Sequence, residues 1–307
     1  MRELSEFVSF VSRKSGVKNV SLIESDIILH RMLKEIYFSE LGKNYLFKGG
    51  SCIVKCFFGY YRFSLDLDFT WKDQDVWMDL GKRRLRRELL IRIKEFGSLL
   101  ENISTQLNLN FRAKLDDKNF VEFGGGGRMV TFKLWMGVRL MKIQINFVEN
   151  ILFKSKRVVA RTLLSGVKIS DDERLYFEEF LDFYKPFWVN AYDEREILCE
   201  KVRAILTRRA QKFRDFYDLY VLDRHGFKVK NYENEIIKKI ETALYYKKYR
   251  EALIKNSKGL IMRREIFEDP FERSLFIVRP PKEFENFLKG FLTILRRIAT
   301  LACERGL

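Results

Sequence analysis

Two aspartates separated by one residue lie in a segment with strand periodicity, where acidic side chains are uncommon. In FSLDLDFTW, residues 63–71, apolar residues alternate with polar ones, as in a half-buried strand. Asp66 and Asp68 then project from one face, with Cβ atoms about 7 Å apart. Carboxylates suit Mg²⁺, which takes one or two of them together with substrate phosphates. The pair predicts a cation site or, as the simpler alternative, the solvent face of an edge strand.

A glycine-rich turn, KGGS at residues 48–51, stands shortly before this acidic strand. Consecutive glycines let backbone N–H groups approach a triphosphate, and a helix that begins at Ser51 adds N-terminal polarity and a hydroxyl. Two divalent ions about 3.5–4 Å apart can hold the attacking and leaving oxygens of a phosphoryl displacement. The order of strand, turn, short helix and acidic strand resembles that of polymerase-β-like nucleotidyltransferases.

The resemblance becomes specific over LFKGGSCIVKCFFGYYRFSLDLDF, residues 46–69. This segment resembles the signature of AbiEii/AbiGii-type nucleotidyltransferase toxins, which reads hydrophobic-Lys-Gly-Gly-Thr/Ser, a short helix, then Arg-Phe-Ser-x-Asp-hydrophobic-Asp-Phe. An upstream helix is similar at Glu24 and Asp26. The resemblance implies that Asp66 and Asp68 are catalytic and bind metal. It also implies a set of nucleotide-binding residues: Lys48, Gly49, Gly50, Ser51, Arg62 and Ser64.

A second block, EKVRAILTRRAQKFRDFYDLYVL at residues 200–222, is similar to a later motif of the same family. A helical lysine can reach a triphosphate as a point charge. The resemblance implies that Lys201 is a catalytic nucleotide ligand and that Asp215 is an active-site acid. Asp218 is then expected to position Arg214 or a neighbour. From spacing alone, Arg214 and Asp218 at i, i+4 are also explained as an ordinary surface ion pair.

One departure from the family pattern concerns a third acid on a later strand. The corresponding stretch is MKIQINF, in which the position falls at Gln144, or at Asn146 on the same strand face. Neither side chain is charged, so metal binding is expected to be weaker, or to be compensated by Asp215 or Glu149. Lys142 on the same face is either a phosphate ligand or an ordinary solvated lysine.

The periodicity predicts an α+β protein with a mixed α/β amino-terminal half. The resemblance implies a polymerase-β-like nucleotidyltransferase domain with a small mixed sheet at residues 1–158. A helical carboxy-terminal domain at 159–307 would contribute to the active site. The main predicted helices cover 3–13, 22–41, 82–107, 231–256 and 282–304, and the predicted strands are YLFK, MVTFKLWM and VRLMKIQINFV.

The composition is strongly basic, with 58 Lys and Arg against 42 Asp and Glu and a net charge of +16. Such a balance favours polyanionic partners, although a solvated charged surface explains it too. The basic runs at 82–88 and 207–214 are candidates for contacting RNA. With 4 Cys and 2 His, neither a disulfide framework nor a zinc site is expected, and we expect a reducing cytoplasm. No apolar run suggests a membrane span.

Together these features predict an enzyme that moves a nucleoside monophosphate from an NTP to an acceptor hydroxyl with two Mg²⁺ ions. The resemblance implies a toxin of a toxin–antitoxin pair, with tRNA 3′ ends as the acceptor and an antitoxin protein as a partner. Two alternatives stay open. The first is a non-catalytic nucleic-acid- or partner-binding protein on a degenerate transferase fold. The second is a transferase that modifies protein hydroxyls.

Overall fold

A computed structural model describes residues 3–259, 266 and 268–306. The chain forms two compact units, one of residues 1–149 and 155–191 and the other of residues 150–154 and 192–307. The sequence predicted a boundary after residue 158. The structure moves it to Ala191, because two further strands and two short helices belong to the first unit.

The first unit contains a seven-stranded mixed sheet in the order β3-β4-β5-β2-β1-β7-β6. The strands are β1 Tyr45–Lys48, β2 Asp66–Trp71, β3 Val121–Gly124, β4 Met129–Met136, β5 Arg139–Asn146, β6 Lys156–Ala160 and β7 Phe187–Ala191. Strand β2 pairs in parallel with β5, and β1 pairs in parallel with β7. The other neighbours are antiparallel. The predicted mixed sheet is confirmed.

The helices follow the predicted division into an α/β part and a helical part. Those of the first unit are α1 Leu4–Ser15, α2 Val20–Phe38, α3 Gly49–Cys52, α4 Lys82–Gln106, α5 Asp171–Tyr176 and α6 Glu178–Phe183. Those of the second unit are α7 Glu194–Thr207, α8 Phe213–Arg224, α9 Glu233–Ala243, α10 Lys247–Lys258, α11 Pro270–Ser274 and α12 Glu283–Gly306. The helix predicted over 231–256 is divided into α9 and α10.

Helix α4 packs against one face of the sheet. The ring centroid of Phe96 lies 5.0 Å from that of Tyr45 on β1, 6.2 Å from that of Phe69 on β2 and 5.8 Å from that of Phe132 on β4. Alternation along β2 therefore directs Asp66 and Asp68 to the opposite face. The apolar side of this strand forms the core, and its polar side carries the acids.

The second unit is built around buried side chains of α7, α8, α9 and α12. Aromatic rings join α8 to α12, since the ring of Phe284 lies 5.7 Å from Phe213 and 5.2 Å from Tyr217. Within the described part of the chain, no helix combines the length and the apolar character needed to cross a bilayer.

Candidate functional site

The acidic strand and the glycine turn lie against each other. Strands β1 and β2 are paired so that Lys48 is opposite Asp68, and the chain turns at Gly49 with a φ of +76°. A Cβ atom at Gly49 would lie 2.2 Å from Oδ2 of Asp68. The Asp68 carboxylate therefore packs directly on the glycine α-carbon. The turn and the acid are in direct contact, and glycine is required there for both conformation and space.

The next two residues of the turn lie against the residues that lead into the acidic strand. A Cβ atom at Gly50 would lie 2.6 Å from a terminal guanidinium nitrogen of Arg62 and 3.1 Å from the Ser64 hydroxyl. The hydroxyl of Ser51 donates a short hydrogen bond to the backbone carbonyl of Asp66. The predicted nucleotide-binding residues of this segment thus come together around α3.

Burial separates these residues into supporting and accessible groups. Lys48, Ser51 and Arg62 are 4%, 1% and 1% exposed, and Arg62 donates to the carbonyl oxygen of Phe63 over 2.8 Å. Asp66 and Asp68 are only half-buried. The buried Lys48, Ser51 and Arg62 side chains support the turn, whereas the two carboxylates are accessible to a ligand.

Strand β5 borders the acids on the other side, in parallel register. Gln144 is the partner of Asp68, and Lys142 is the partner of Asp66. Asn146 lies further along β5, where its side-chain amide donates to a Glu149 carboxylate oxygen over 3.3 Å. Gln144 therefore occupies the strand position beside Asp68. Asn146 is two positions further along β5 than Gln144, and Glu149 lies beyond the end of the strand.

The two carboxylates fit a magnesium site of the kind that is completed by substrate. They share one face of β2 beside the glycine turn, and both retain access to solvent. In the residues that the structure describes, no cluster of three or more His, Cys, Asp and Glu side chains is arranged to hold a metal. Mg²⁺ usually takes one or two carboxylates and fills its remaining positions with water and phosphate oxygens.

A second charged cluster lies within the helical unit. The Lys201 ammonium is 2.9 Å from Asp215 and 2.6 Å from Asp218, and Arg208 is 3.6 Å from Asp215. Burial by itself raises the pKa of Asp215, but the Lys201 and Arg208 cations outweigh it. The pKa of this carboxyl is therefore held well below its usual range. Lys201 and Asp215, predicted as site residues, are partners in this cluster.

Asp218 was expected to position Arg214 or a neighbour, and in the structure its partner is the neighbouring Lys201. Asp218 is fully buried and is bound to Lys201, whereas the Arg214 guanidinium is 3.0 Å from Glu272. The i, i+4 spacing does not decide the pairing, because Glu272 comes from a distant part of the sequence and Lys201 lies on the neighbouring helix α7.

Comparison with known proteins identifies the family. The family model described as "Nucleotidyl transferase AbiEii toxin, Type IV TA system" matches residues 31–299, and a search of curated proteins found no match. The chain belongs to the AbiEii nucleotidyltransferase toxin family. The match spans both the glycine–aspartate site and the Lys201 cluster, so the suspected family and the predicted fold class are confirmed.

Sequence reasoning missed one feature of this AbiEii chain, a buried polar network beneath the site. Asp26 on α2 is 2.7 Å from the Lys55 ammonium and accepts hydrogen bonds from the Tyr60 and Tyr184 hydroxyls. Lys55 and Asp26 are each 2% exposed. The Tyr60 hydroxyl lies 3.0 Å from Oδ2 of Asp26. The available signal was Asp26 within an apolar helix, since a buried carboxylate requires partners.

Proposed function

We propose that this AbiEii-family nucleotidyltransferase moves a nucleoside monophosphate from an NTP to a terminal hydroxyl of RNA, with the tRNA 3′ end as the acceptor. The supporting observation is the contact of Asp68 with Gly49, beside Asp66 on the same strand face. This contact supports the proposal, because two carboxylates able to bind Mg²⁺ then lie next to a glycine turn whose backbone N–H groups could donate to phosphate oxygens. Such a combination suits stabilisation of a phosphoryl-transfer transition state.

The roles of the residues follow from their burial and contacts. Asp66 and Asp68 would hold two Mg²⁺ ions, which when bound supply positive charge to the reacting phosphate. The N–H groups of Gly49 and Gly50 would face the β- and γ-phosphates. Ser51 fixes the position of Asp66 through its hydrogen bond to the Asp66 carbonyl. Arg62, being buried, supports the turn from behind.

From the family match we also propose that Lys201 is a nucleotide ligand and that Asp215 is an active-site acid. Lys201 is 8% exposed and neutralises two carboxylates. A triphosphate would have to compete with Asp215 and Asp218 for this ammonium group. Asp215, with its low pKa, stays ionised and keeps Lys201 oriented at neutral pH. We further propose that the chain acts in the cytoplasm and that an antitoxin protein counteracts it.

The direct test is a transfer assay with each labelled NTP, total tRNA and Mg²⁺. We expect labelled RNA from the wild type and at least a hundredfold less from Asp66→Asn, by analogy with loss of one group that stabilises transition-state charge. Asp116→Asn, which removes an exposed acid at a loop position, serves as the matched control and should transfer normally.

The same assay distinguishes the alternatives. Label that stays with protein after RNase treatment would indicate a transferase acting on protein hydroxyls. No transfer with any NTP, combined with RNA binding that Asp66→Asn leaves unchanged, would indicate a binding protein on a degenerate fold.

A further inference from the structure

Strand β5, next to the acidic strand, carries a lysine on the same face of the sheet as the two acids. Lys142 is the in-register partner of Asp66 and is exposed, and its ammonium group has no ion pair or hydrogen bond among the described residues. On β4 its own partner is Lys133, whose ammonium is 2.7 Å from Glu122. The pKa of Glu122 is lowered chiefly by Lys133 and only weakly by the more distant Lys142. Lys133 is thus engaged, while Lys142 can bind a ligand.

The glycine turn and Lys142 lie on opposite sides of the acidic strand. In the sheet order, β2 stands between β1 and β5. The turn follows β1, and Gly49 contacts Asp68 from that side. Lys142 and Gln144 lie on β5, about 4.8 Å away in the direction of the sheet hydrogen bonds. The two carboxylates therefore separate a phosphate-binding turn from a cationic strand.

Phosphoryl transfer needs its two oxygens on opposite sides of the reacting phosphorus. The acceptor oxygen forms a bond to the α-phosphorus, the bond from that phosphorus to the pyrophosphate oxygen breaks, and the hydroxyl proton passes to water. Because attacking and leaving oxygens are roughly in line, a pyrophosphate held at the glycine turn requires the acceptor to enter from the β5 side.

We propose that Lys142 binds a phosphate of the acceptor next to its reactive hydroxyl and so positions that hydroxyl for transfer. The inference rests on the proposed function and adds the acceptor-binding residue to it. Gln144 strengthens it, since a neutral amide beside Asp68 does not repel an incoming polyanion as a third carboxylate would. An ammonium group on a flexible stem suits phosphate as a point charge.

Binding of tRNA without NTP tests the assignment independently of turnover. We compare wild type, Lys142→Ala, Lys142→Arg and the matched control Lys133→Ala, which removes an equal charge from the next strand. Fluorescence anisotropy over a salt series should show that Lys142→Ala weakens binding on the order of tenfold and reduces the salt slope by about 1. Lys142→Arg should bind like the wild type, and Lys133→Ala should change affinity less than twofold.

Steady-state transfer then separates the acceptor from the nucleotide. Lys142→Ala should raise KM for tRNA and leave KM for the NTP unchanged. Equal effects of the two alanine variants, or a rise in KM for the NTP instead, would overturn the assignment. A wild type that transfers no nucleotide would refute the proposed function, while the binding series would still decide whether Lys142 contacts RNA.

Discussion

Two glycines with the same backbone conformation differ in what surrounds them, which allows strain and site geometry to be separated. Gly49 has φ +76° and Gly59 has φ +78°. A Cβ atom at Gly49 would collide with Asp68 at 2.2 Å, whereas one at Gly59 meets nothing within 4 Å. Of these two positions, only residue 49 requires glycine both for its backbone conformation and for lack of space.

We expect Gly59→Ala to cost about 1–2 kcal/mol of unfolding free energy, the penalty for a left-handed alanine. Gly49→Ala should cost more and should also displace the Asp68 carboxylate, which would abolish nucleotide transfer. Urea unfolding and the tRNA assay measure the two effects. If both variants lose equal stability and Gly49→Ala stays active, the contact between the turn and the acid has no role in the site.

Single residues also show what sequence could and could not predict about the site. The motif brought Lys48, Gly49, Gly50, Ser51, Arg62 and Ser64 together with both acids, and the structure places all of them around one turn. It did not predict that Arg62 and Ser51 are buried supports, because burial depends on packing against distant residues. Equally, the Glu272 partner of Arg214 lies too far along the chain for any local spacing rule.

At the scale of elements, the first turn of α4 carries positive charge where the helix dipole is already positive. Lys82, Arg83 and Arg84 are exposed and form no ion pair among the described residues. Cations at a helix N-terminus are unfavourable by about 0.3–1 kcal/mol each. A cluster retained at such a cost is consistent with contact to RNA phosphates.

We therefore expect Arg83→Glu combined with Arg84→Glu to stabilise the protein by about 1–2 kcal/mol in urea unfolding, since each substitution replaces an unfavourable interaction with a favourable one. The same variant should bind tRNA more weakly. Lys94→Glu, an exposed reversal in the middle of α4, is the control and should not add stability. Unchanged tRNA affinity would show that this turn is not a nucleic-acid surface.

The ion pairs of Asp215 with Lys201 and Arg208 make the unfolding free energy depend on pH, and the direction of this dependence follows from the pKa of Asp215. Burial raises the pKa of Asp215, but Lys201 and Arg208 lower it more, so its folded pKa lies below its unfolded value. A carboxyl with a depressed pKa stabilises the fold above its unfolded pKa of about 3.9 and loses that contribution as pH falls.

Asp215→Asn should therefore lower the unfolding free energy at pH 7 by about 1.5–3 kcal/mol, the range for hydrogen bonds to charged groups. The difference from wild type should narrow as pH decreases below about 4, because the unfolded wild-type chain then gains a proton on Asp215 that the folded chain does not yet bind. Urea unfolding at pH 7, 5 and 3 measures this difference in unfolding free energy, with Asp116→Asn as the control. A difference that is constant with pH would exclude a charge effect.

Predictability of the elements depended on how local their pairing is. Strands β4 and β5 form a hairpin through Gly137, and their patterns were recognised with nearly correct bounds. Strands β6 and β7 were missed, and the region was predicted to be mostly helical. In β7 the buried Phe187, Val189 and Ala191 do alternate with the exposed Trp188 and the half-buried Asn190. The strand is short, however, and one of its partners is β1, far away in sequence.

At the scale of the whole molecule, the chain passes between its two units at residues 149, 154 and 191. The segment 150–154 belongs to the helical unit, and one buried carboxylate holds it there. Glu196 on α7 accepts the N–H groups of Leu152 and Phe153, each over 2.8 Å. Its other oxygen is 2.5 Å from the Lys239 ammonium, and both side chains are fully buried. This contact links three separate parts of the sequence.

Removal of the Glu196 carboxylate should therefore destabilise the helical unit and release the segment. Glu196→Ala leaves the buried Lys239 cation without its nearest partner and two N–H groups without an acceptor, which we expect to cost about 3–5 kcal/mol. Hydrogen exchange should show faster exchange of the Leu152 and Phe153 amides. Glu241→Ala, which removes an exposed acid from α9, should change neither the stability nor the exchange of these amides.

A double variant separates the buried charge from the hydrogen bonds to the segment. Adding Lys239→Met to Glu196→Ala replaces the uncompensated cation with an apolar side chain, so part of the stability should return while the two amides still exchange rapidly. Recovery of their protection as well would mean that Glu196 is not what holds them.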